Sequence, residues 1–342
     1  MKTWNGYQKG INLGGWLSQC DHTKERYDTF ITKKDFETIR SWGADHIRLP
    51  IDYELIETDD GNPIEEGYDR LRFVLDCCKE QGLNMILDLH KTCGYSFYDG
   101  FGEKGFFDDE ALQERFYVLW ERLAQKFGSI GDSLAFELLN EVTDKAFCDG
   151  WNRISTECIR RIRKIAPTIK ILVGGYYNNS VEAVKDLAMP YDENIIYNFH
   201  CYEPLIFTHQ AASWIPTMDQ NLRISIDASY EEMDKAGRDN LEQVTTGFAG
   251  FSPDDKLSEA YFEKIFAEAI KVAEERNVAL YCGEYGVIDF VDPEDIVKWY
   301  KIINTVFRKY GIGRAAWSYK SMNFGISDAR MDGVRSELVK YI

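Results

Sequence analysis

The sequence predicts a closed (β/α)8 TIM barrel of the α/β class, with a subdomain inserted between its sixth strand and sixth helix. Three observations predict it. Short β-rich runs alternate with stretches of helical periodicity, as parallel strands with crossover helices require. Eight such strands can be counted, the number that closes a barrel. The competing open, doubly wound sheet would carry a Gly-x-Gly-x-x-Gly turn after its first strand, and Gly10 to Gly15 has the wrong spacing for one.

The strands are expected near Lys9 to Leu13, His46 to Leu49, Asn84 to Leu89, Leu134 to Asn140, Ile169 to Val173, Ile195 to Phe199, Ala279 to Gly283 and Ala315 to Tyr319. Between them, apolar residues recur at helical spacing over Lys33 to Trp42, Tyr68 to Gln81, Glu110 to Phe127, Trp151 to Ile165, Ser258 to Arg276 and Asp295 to Tyr310. Asp35 and Glu37 mark one helix start, and Gly82 and Gly311 follow two helix ends. About 80 residues separate the sixth and seventh strands, roughly twice a normal βα unit of about 30 to 40. The segment from Glu203 to about Asp255 is therefore read as a subdomain over the sixth strand. It holds Trp214, Tyr230, Phe248 and Phe251 among many charges, and the insertion as a whole is expected to shape the cleft.

Residues 1–342 are expected to form a single catalytic domain, since 44% hydrophobic and 14% aromatic residues suffice for a large core and leave rings for a binding cleft. The net charge of -17, without a basic stripe, would repel nucleic acid but is indifferent to a neutral polymer. No run of 18 apolar residues suggests a membrane span. The opening Met1 to Gly10 lacks the apolar core of a signal peptide, so a cytoplasmic protein is expected, or a secreted one if a leader has been removed; separately, a monomer is expected. The eight cysteines are scattered without a Cys-x-x-Cys pair, which suggests reduced thiols and no zinc site. Asn179-Ser180 completes an Asn-Asn-Ser sequon, which carries no meaning in a cytoplasmic protein.

Two strands end in a carboxylate, Leu134 to Glu141 in Asn140-Glu141 and Ala279 to Glu284 in Gly283-Glu284. A lone glutamate there is most simply a cap or a solvated loop acid. Two at the mouth of one barrel suit glycoside cleavage, which needs one carboxyl to protonate the departing oxygen and another to attack or activate water from the opposite face. Strand alternation puts Glu137, Leu139 and Glu141 on one side of the fourth strand and Leu138 and Asn140 on the other. Arg48, in an otherwise apolar second strand, must have an acidic partner: Glu137 in a structural pair, or Glu284, whose charge it would sustain.

His90 and His200 close two further strands, with Tyr202 on the face of His200, and Trp317 sits at the exit of the last strand, where an indole can lie flat on a sugar ring. The two histidines also admit a metal-dependent hydrolase, but Ile11 to Gly14 supplies none of the ligands that would need. The preferred reading has no metal and no cofactor.

The Leu138-Leu-Asn-Glu141 ending, Arg48-Leu-Pro, Leu89-His90, Asn198-Phe-His200 with Tyr202, Gly283-Glu284, Trp317 and the opening Gly10-Ile-Asn-Leu-Gly-Gly-Trp16 resemble glycoside hydrolase family 5, cellulase family A. The resemblance spans essentially the whole chain in the family's motif order. It looks closest to the clostridial endoglucanase C type, which also has a long insertion after strand six. It implies a retaining endo-β-1,4-glucanase acting on cellulose-type or mixed-linkage β-glucan, with Glu141 as acid/base and Glu284 as nucleophile. It also implies that Asn140 binds the sugar 2-hydroxyl in subsite -1, that Tyr202 orients Glu284 beside Arg48, that His90 and His200 line the subsite, and that Trp317 is its floor. Val142 stands where the family often has proline. The same residues would serve a β-mannanase, a β-1,3-glucanase or a transglycosidase, and a catalytically dead carbohydrate-binding barrel would keep the fold. Trp214 is expected as a platform on the insertion.

Overall fold

Runs such as Ile-Leu-Val and Met-Ile-Leu are apolar on both faces, and a strand of that kind must be covered on both sides. The computed structural model, which describes residues 1–97, 104–241 and 247–342, covers them by closing eight parallel strands in chain order into a barrel with helices outside. The strands are β1 (Gly10–Asn12), β2 (His46–Asp52), β3 (Asn84–Lys91), β4 (Leu134–Glu137), β5 (Lys170–Val173), β6 (Ile195–Cys201), β7 (Ala279–Tyr285) and β8 (Gly313–Ala316).

All eight expected strands are present, with shifted ends. β2 runs through Pro50 to Asp52, because the chain stays extended and Asp52 N–H bonds to Leu17 O at 3.0 Å. β4 stops at Glu137, three residues short of the expected end. β8 begins at Gly313 and ends at Ala316, before Trp317.

The expected helices appear as Lys33–Ser41, Glu65–Gln81, Glu110–Phe127, Cys148–Arg163, Glu259–Glu275 and Pro293–Tyr310. Gly82 and Gly311 end two of them in the left-handed conformation, which costs glycine little. Asp35 completes a capping box with Thr32. The β5–β6 connection has two short pieces, a helical turn at Tyr176–Asn179 and a 3-10 segment at Val181–Asp186, in place of a full helix.

The N-terminal segment closes the bottom of the barrel. Lys2 bridges to Ala279, and Trp4 and Tyr7, stacked at 3.8 Å, form with Ile86, Ala135, Leu172, Ile196, Tyr281 and Ala315 a small apolar cluster separate from the main core. The main core lies between strands and helices.

After β6 the chain forms a helix at Tyr230–Asn240 and is tied down where Asp295 accepts hydrogen bonds from Ile226 N (3.0 Å) and Ser225 Oγ (2.9 Å). Residues 242–246 of the expected subdomain lie outside the described residues. Tyr230 stacks on Phe248 at 4.5 Å, and both rings pack on Tyr261 of the helix Glu259–Glu275. Burial against a barrel helix thus uses Tyr230 and Phe248 as core. Trp214 is exposed (49%). Among the described residues, no helix is long and apolar enough to cross a membrane.

Candidate active site

Side chains two apart on a strand share a face, so each strand that sends an apolar residue into the barrel bottom sends its next inward residue toward the mouth. Ile86 is followed by Asp88 and His90, Ala135 by Glu137, Ile196 by Asn198 and His200, and His46 by Arg48. Arg48, wholly buried, is the hub. Its Nε and Nη2 form a bidentate pair with Glu137 (2.7 and 2.8 Å), and Nη1 reaches Glu284 Oε1 at 2.7 Å and Asn12 Oδ1 at 3.0 Å. Nη2 also donates to Asn140 Oδ1 at 2.8 Å and lies 3.1 Å from Asp88. The two partners weighed for Arg48, Glu137 and Glu284, are both present.

Burial opposes ionisation of the carboxyls that crowd this guanidinium. Burial pushes Asp88 up to about 7 against the pull of Arg48, and burial likewise raises Glu137. Burial opposes the charge on Arg48, yet Asp88, Glu137 and Glu284 together keep it protonated.

Glu284 owes its direction to an irregularity. Tyr281 and Gly283 share the inward face of β7, so a regular strand would point Glu284 outward. The register slips between Phe199 and His200 on β6 and between Cys282 and Tyr285 on β7, and this bulge turns Glu284 inward beside Gly283. A Cβ on Gly283 would lie 2.8 Å from Asn198 and 2.9 Å from His200. The glycine therefore admits two side chains. Arg48 and the Tyr202 hydroxyl (2.9 Å) each donate to one oxygen of Glu284.

The expected alternation after Glu137 does not hold. Asn140 meets Arg48, and Glu141 meets His200, so Glu137, Asn140 and Glu141 all face the pocket. The reason is that β4 ends at Glu137 and the chain leaves the pleat, with Glu141 at a φ of 39°. Glu141 is 7% exposed and accepts hydrogen bonds from His200 Nδ1 (2.8 Å) and Asn178 Nδ2 (3.0 Å). Burial raises its proton affinity, against the Asn178 hydrogen bond. One ligand-bearing atom each of Glu141, His200 and Glu284 lie within 4.8 Å of one another.

A barrel with two glutamates facing each other at its mouth agrees with a profile match over residues 5–323 to "Cellulase (glycosyl hydrolase family 5)". The chain belongs to the cellulase family, glycosyl hydrolase family 5. It is a glycoside hydrolase. Cellodextrinase A of Ruminococcus flavefaciens is 49% identical over 309 residues, covering 90% of this chain and 84% of that protein. Endoglucanase C of Acetivibrio thermocellus is 38% identical over 98% of both. Endoglucanase Cel5A of Thermotoga maritima shares the fold at a TM-score of 0.76 and 23% identity, with 98% of this chain and 97% of that one covered.

In this cellulase-family barrel, His90 Nδ1 bonds to Asp88 at 2.6 Å, and its ring lies parallel to Trp317 at 5.7 Å. Gly14 makes room for that indole: a Cβ there would stand 2.7 Å from it. Among the buried polar atoms without a partner are His90 Nε2 and Asn140 Nδ2, and both suit a sugar hydroxyl. His90 and His200 do not combine as a metal pair. The metal-capable clusters among the described residues are His22, Asp52 and Glu54, and Glu141, His200 and Glu284, neither with His90. In the first, His22 pairs with Asp52 at 3.2 Å and Lys91 with Glu54.

Trp214 stands apart from the buried group. Its ring meets His209 (5.9 Å) and Phe324 (6.5 Å), which both touch Tyr202. Sequence reasoning passed over Asn12, Asp88, Asn178 and Asn179. Asp88 was findable, standing two residues before His90 on the same face. All eight cysteines are free.

Proposed function

We propose that this glycoside hydrolase cleaves β-1,4-glucosidic bonds of cellulose-derived chains with retention of configuration, Glu284 acting as nucleophile and Glu141 as acid/base. The observation that carries it is the separation of at most 4.8 Å between an oxygen of Glu141 and one of Glu284. Retaining enzymes hold their carboxyls about 5 to 5.5 Å apart, whereas inverting ones need about 6.5 to 9.5 Å to seat a water.

Glu284 attacks the anomeric carbon while Glu141 gives its proton to the departing glycosidic oxygen, leaving a glycosyl ester on Glu284 and an ionised Glu141. Glu141 then takes a proton from water, whose oxygen displaces Glu284 and restores both groups. Their environments suit the two roles: Glu284 receives a guanidinium and a phenol, whereas Glu141 is buried and raised. Asn140 Nδ2 is placed for the 2-hydroxyl, His90 Nε2 for a neighbouring one, and the Trp317 indole for the sugar face. The two curated relatives, one named a cellodextrinase and one an endoglucanase, support a β-1,4-glucan substrate.

Glu141→Gln and Glu284→Gln should each lose several orders of magnitude in kcat, and NMR should show the β anomer of the product first. An α anomer appearing first would refute retention. Azide should restore turnover to Glu284→Ala and yield the α-glycosyl azide, whereas a β-azide would exchange the two roles. Product sizing on cellodextrins, carboxymethyl cellulose, barley β-glucan, glucomannan and laminarin tests the linkage; preference for laminarin or glucomannan would overturn β-1,4-glucan. Activity is expected to survive excess EDTA.

A further inference from the structure

We propose that the consecutive residues Asn178 and Asn179, on the loop after β5, are positioning residues for the Glu141 carboxyl, Asn178 directly and Asn179 through the tautomer of His200. The proposal rests on the acid/base reading of Glu141.

The loop has an unusual backbone. Tyr177, Asn178 and Asn179 are three successive non-glycine residues with φ of 49°, 56° and 56°. Asparagine enters the left-handed region more readily than most residues, but a tyrosine there is unfavourable, and this one is exposed (49%) and gains little from packing. Such a conformation persists only where its surroundings hold it, and it is commonest at functional sites. Here Asn178 N–H bonds to Val142 O at 2.9 Å, tying the loop to the residue after Glu141. From that position the Asn178 side chain donates to Glu141 Oε2 at 3.0 Å.

Asn179 turns the other way and is wholly buried. Its amide nitrogen lies 3.4 Å from His200 Nε2. Gly174 keeps the space for it, since a Cβ there would stand 2.3 Å from Asn179 Oδ1. His200 is a neutral imidazole, burial pushing it down to about 4, so one ring nitrogen carries a hydrogen and the other does not. Nδ1 faces Glu141 Oε1 at 2.8 Å and Glu284 Oε2 at 3.7 Å, two acceptors, and so bears the hydrogen. Nε2 is then bare, and an amide N–H is the partner it accepts. One loop thus sets a donor on each oxygen of Glu141. Both donors favour its ionised form, and they fix the plane in which its proton meets the glycosidic oxygen.

Kinetics with two leaving groups test this. Asn178→Ala should lower kcat/KM on cellotetraose about tenfold, a fraction of what general acid catalysis supplies. On 2,4-dinitrophenyl β-cellobioside, whose phenolate leaves without a proton, kcat/KM should change by less than about twofold, since no acid catalysis is at stake. Losing a donor to the ionised form should also move the basic limb of the kcat/KM profile to higher pH. Equal losses on both substrates with an unmoved limb would make Asn178 merely structural and overturn its part.

For Asn179, 15N spectra of His200 should show a protonated Nδ1 and a bare Nε2. Asn179→Asp, which offers Nε2 an acceptor, should reverse the pattern. A protonated Nε2 in the wild type would overturn the tautomer assignment without Asn179→Asp having to fold. Glu141→Gln serves as the reference. If it loses both substrates equally, the acid/base assignment itself falls, a result distinct from either asparagine failing.

Discussion

The two ends of this barrel are made from the same strands and solve opposite problems. On β2, His46 at the lower end bonds to Tyr281 at 2.6 Å against the stacked Trp4 and Tyr7, and two residues further on Arg48 gathers Glu137, Asp88 and Glu284. On β4 the same step leads from Ala135 to Glu137. The lower end is a mostly apolar plug whose stability comes chiefly from area removed from water, whereas the upper end is a charged network that holds together only while each member keeps its partners. One strand can thus belong to the scaffold at one end and to the chemistry at the other.

Breaking the network should have the largest effect. Arg48→Met leaves buried carboxyls without their cation, and urea unfolding should show a loss of about 3 to 5 kcal/mol, with hydrolysis abolished where the protein is still folded. At the plug, Trp4→Ala should cost about 3 kcal/mol, comparable in size, yet kcat measured well below the melting temperature should stay within about twofold, since no reacting group is touched. A large fall in kcat for Trp4→Ala would show that the two ends are coupled.

A smaller effect sharpens the contrast through pH. Asp88 keeps its proton up to about 7 in the folded protein, while the unfolded chain releases it near 3.8. Between those values the folded state binds more protons, so this residue's contribution to stability falls as the pH rises. The melting temperature of Asp88→Asn relative to wild type should therefore climb from about pH 4 to about 7 and then level off; a constant difference would mean that Asp88 is ionised throughout. The smallest effect is expected outside both ends. Trp214→Ala should alter stability by no more than about 0.5 kcal/mol and raise KM on long chains while leaving short aryl glycosides unaffected.

Much of this was legible beforehand. Alternating periodicity marked all eight strands, and the cost of burying a guanidinium made an acidic partner for Arg48 certain before either candidate was seen. What escaped were departures from regularity. Counting alternate residues assumes that a strand continues, and β4 had already ended when the count reached Asn140 and Glu141. The same count would have sent Glu284 outward, since a bulge leaves no mark beyond a glycine. The aromatic residues of the insertion carried no sign of which would be buried, because Tyr230 and Trp214 differ in their neighbours and not in their chemistry. Asn178 and Asn179 lay inside a three-residue pattern set aside as a glycosylation sequon, though their reach to Glu141 and His200 depends on a backbone turn that no propensity predicts.

The crowding of acids around Arg48 has an engineering consequence. Were Glu284 replaced by a small side chain, the guanidinium would still hold Glu137 and Asp88, so the mouth should keep its shape while gaining a void where the carboxylate stood. An α-glycosyl fluoride fits such a void, and with Glu141 still able to deprotonate an incoming acceptor sugar, the altered barrel would join chains rather than cut them.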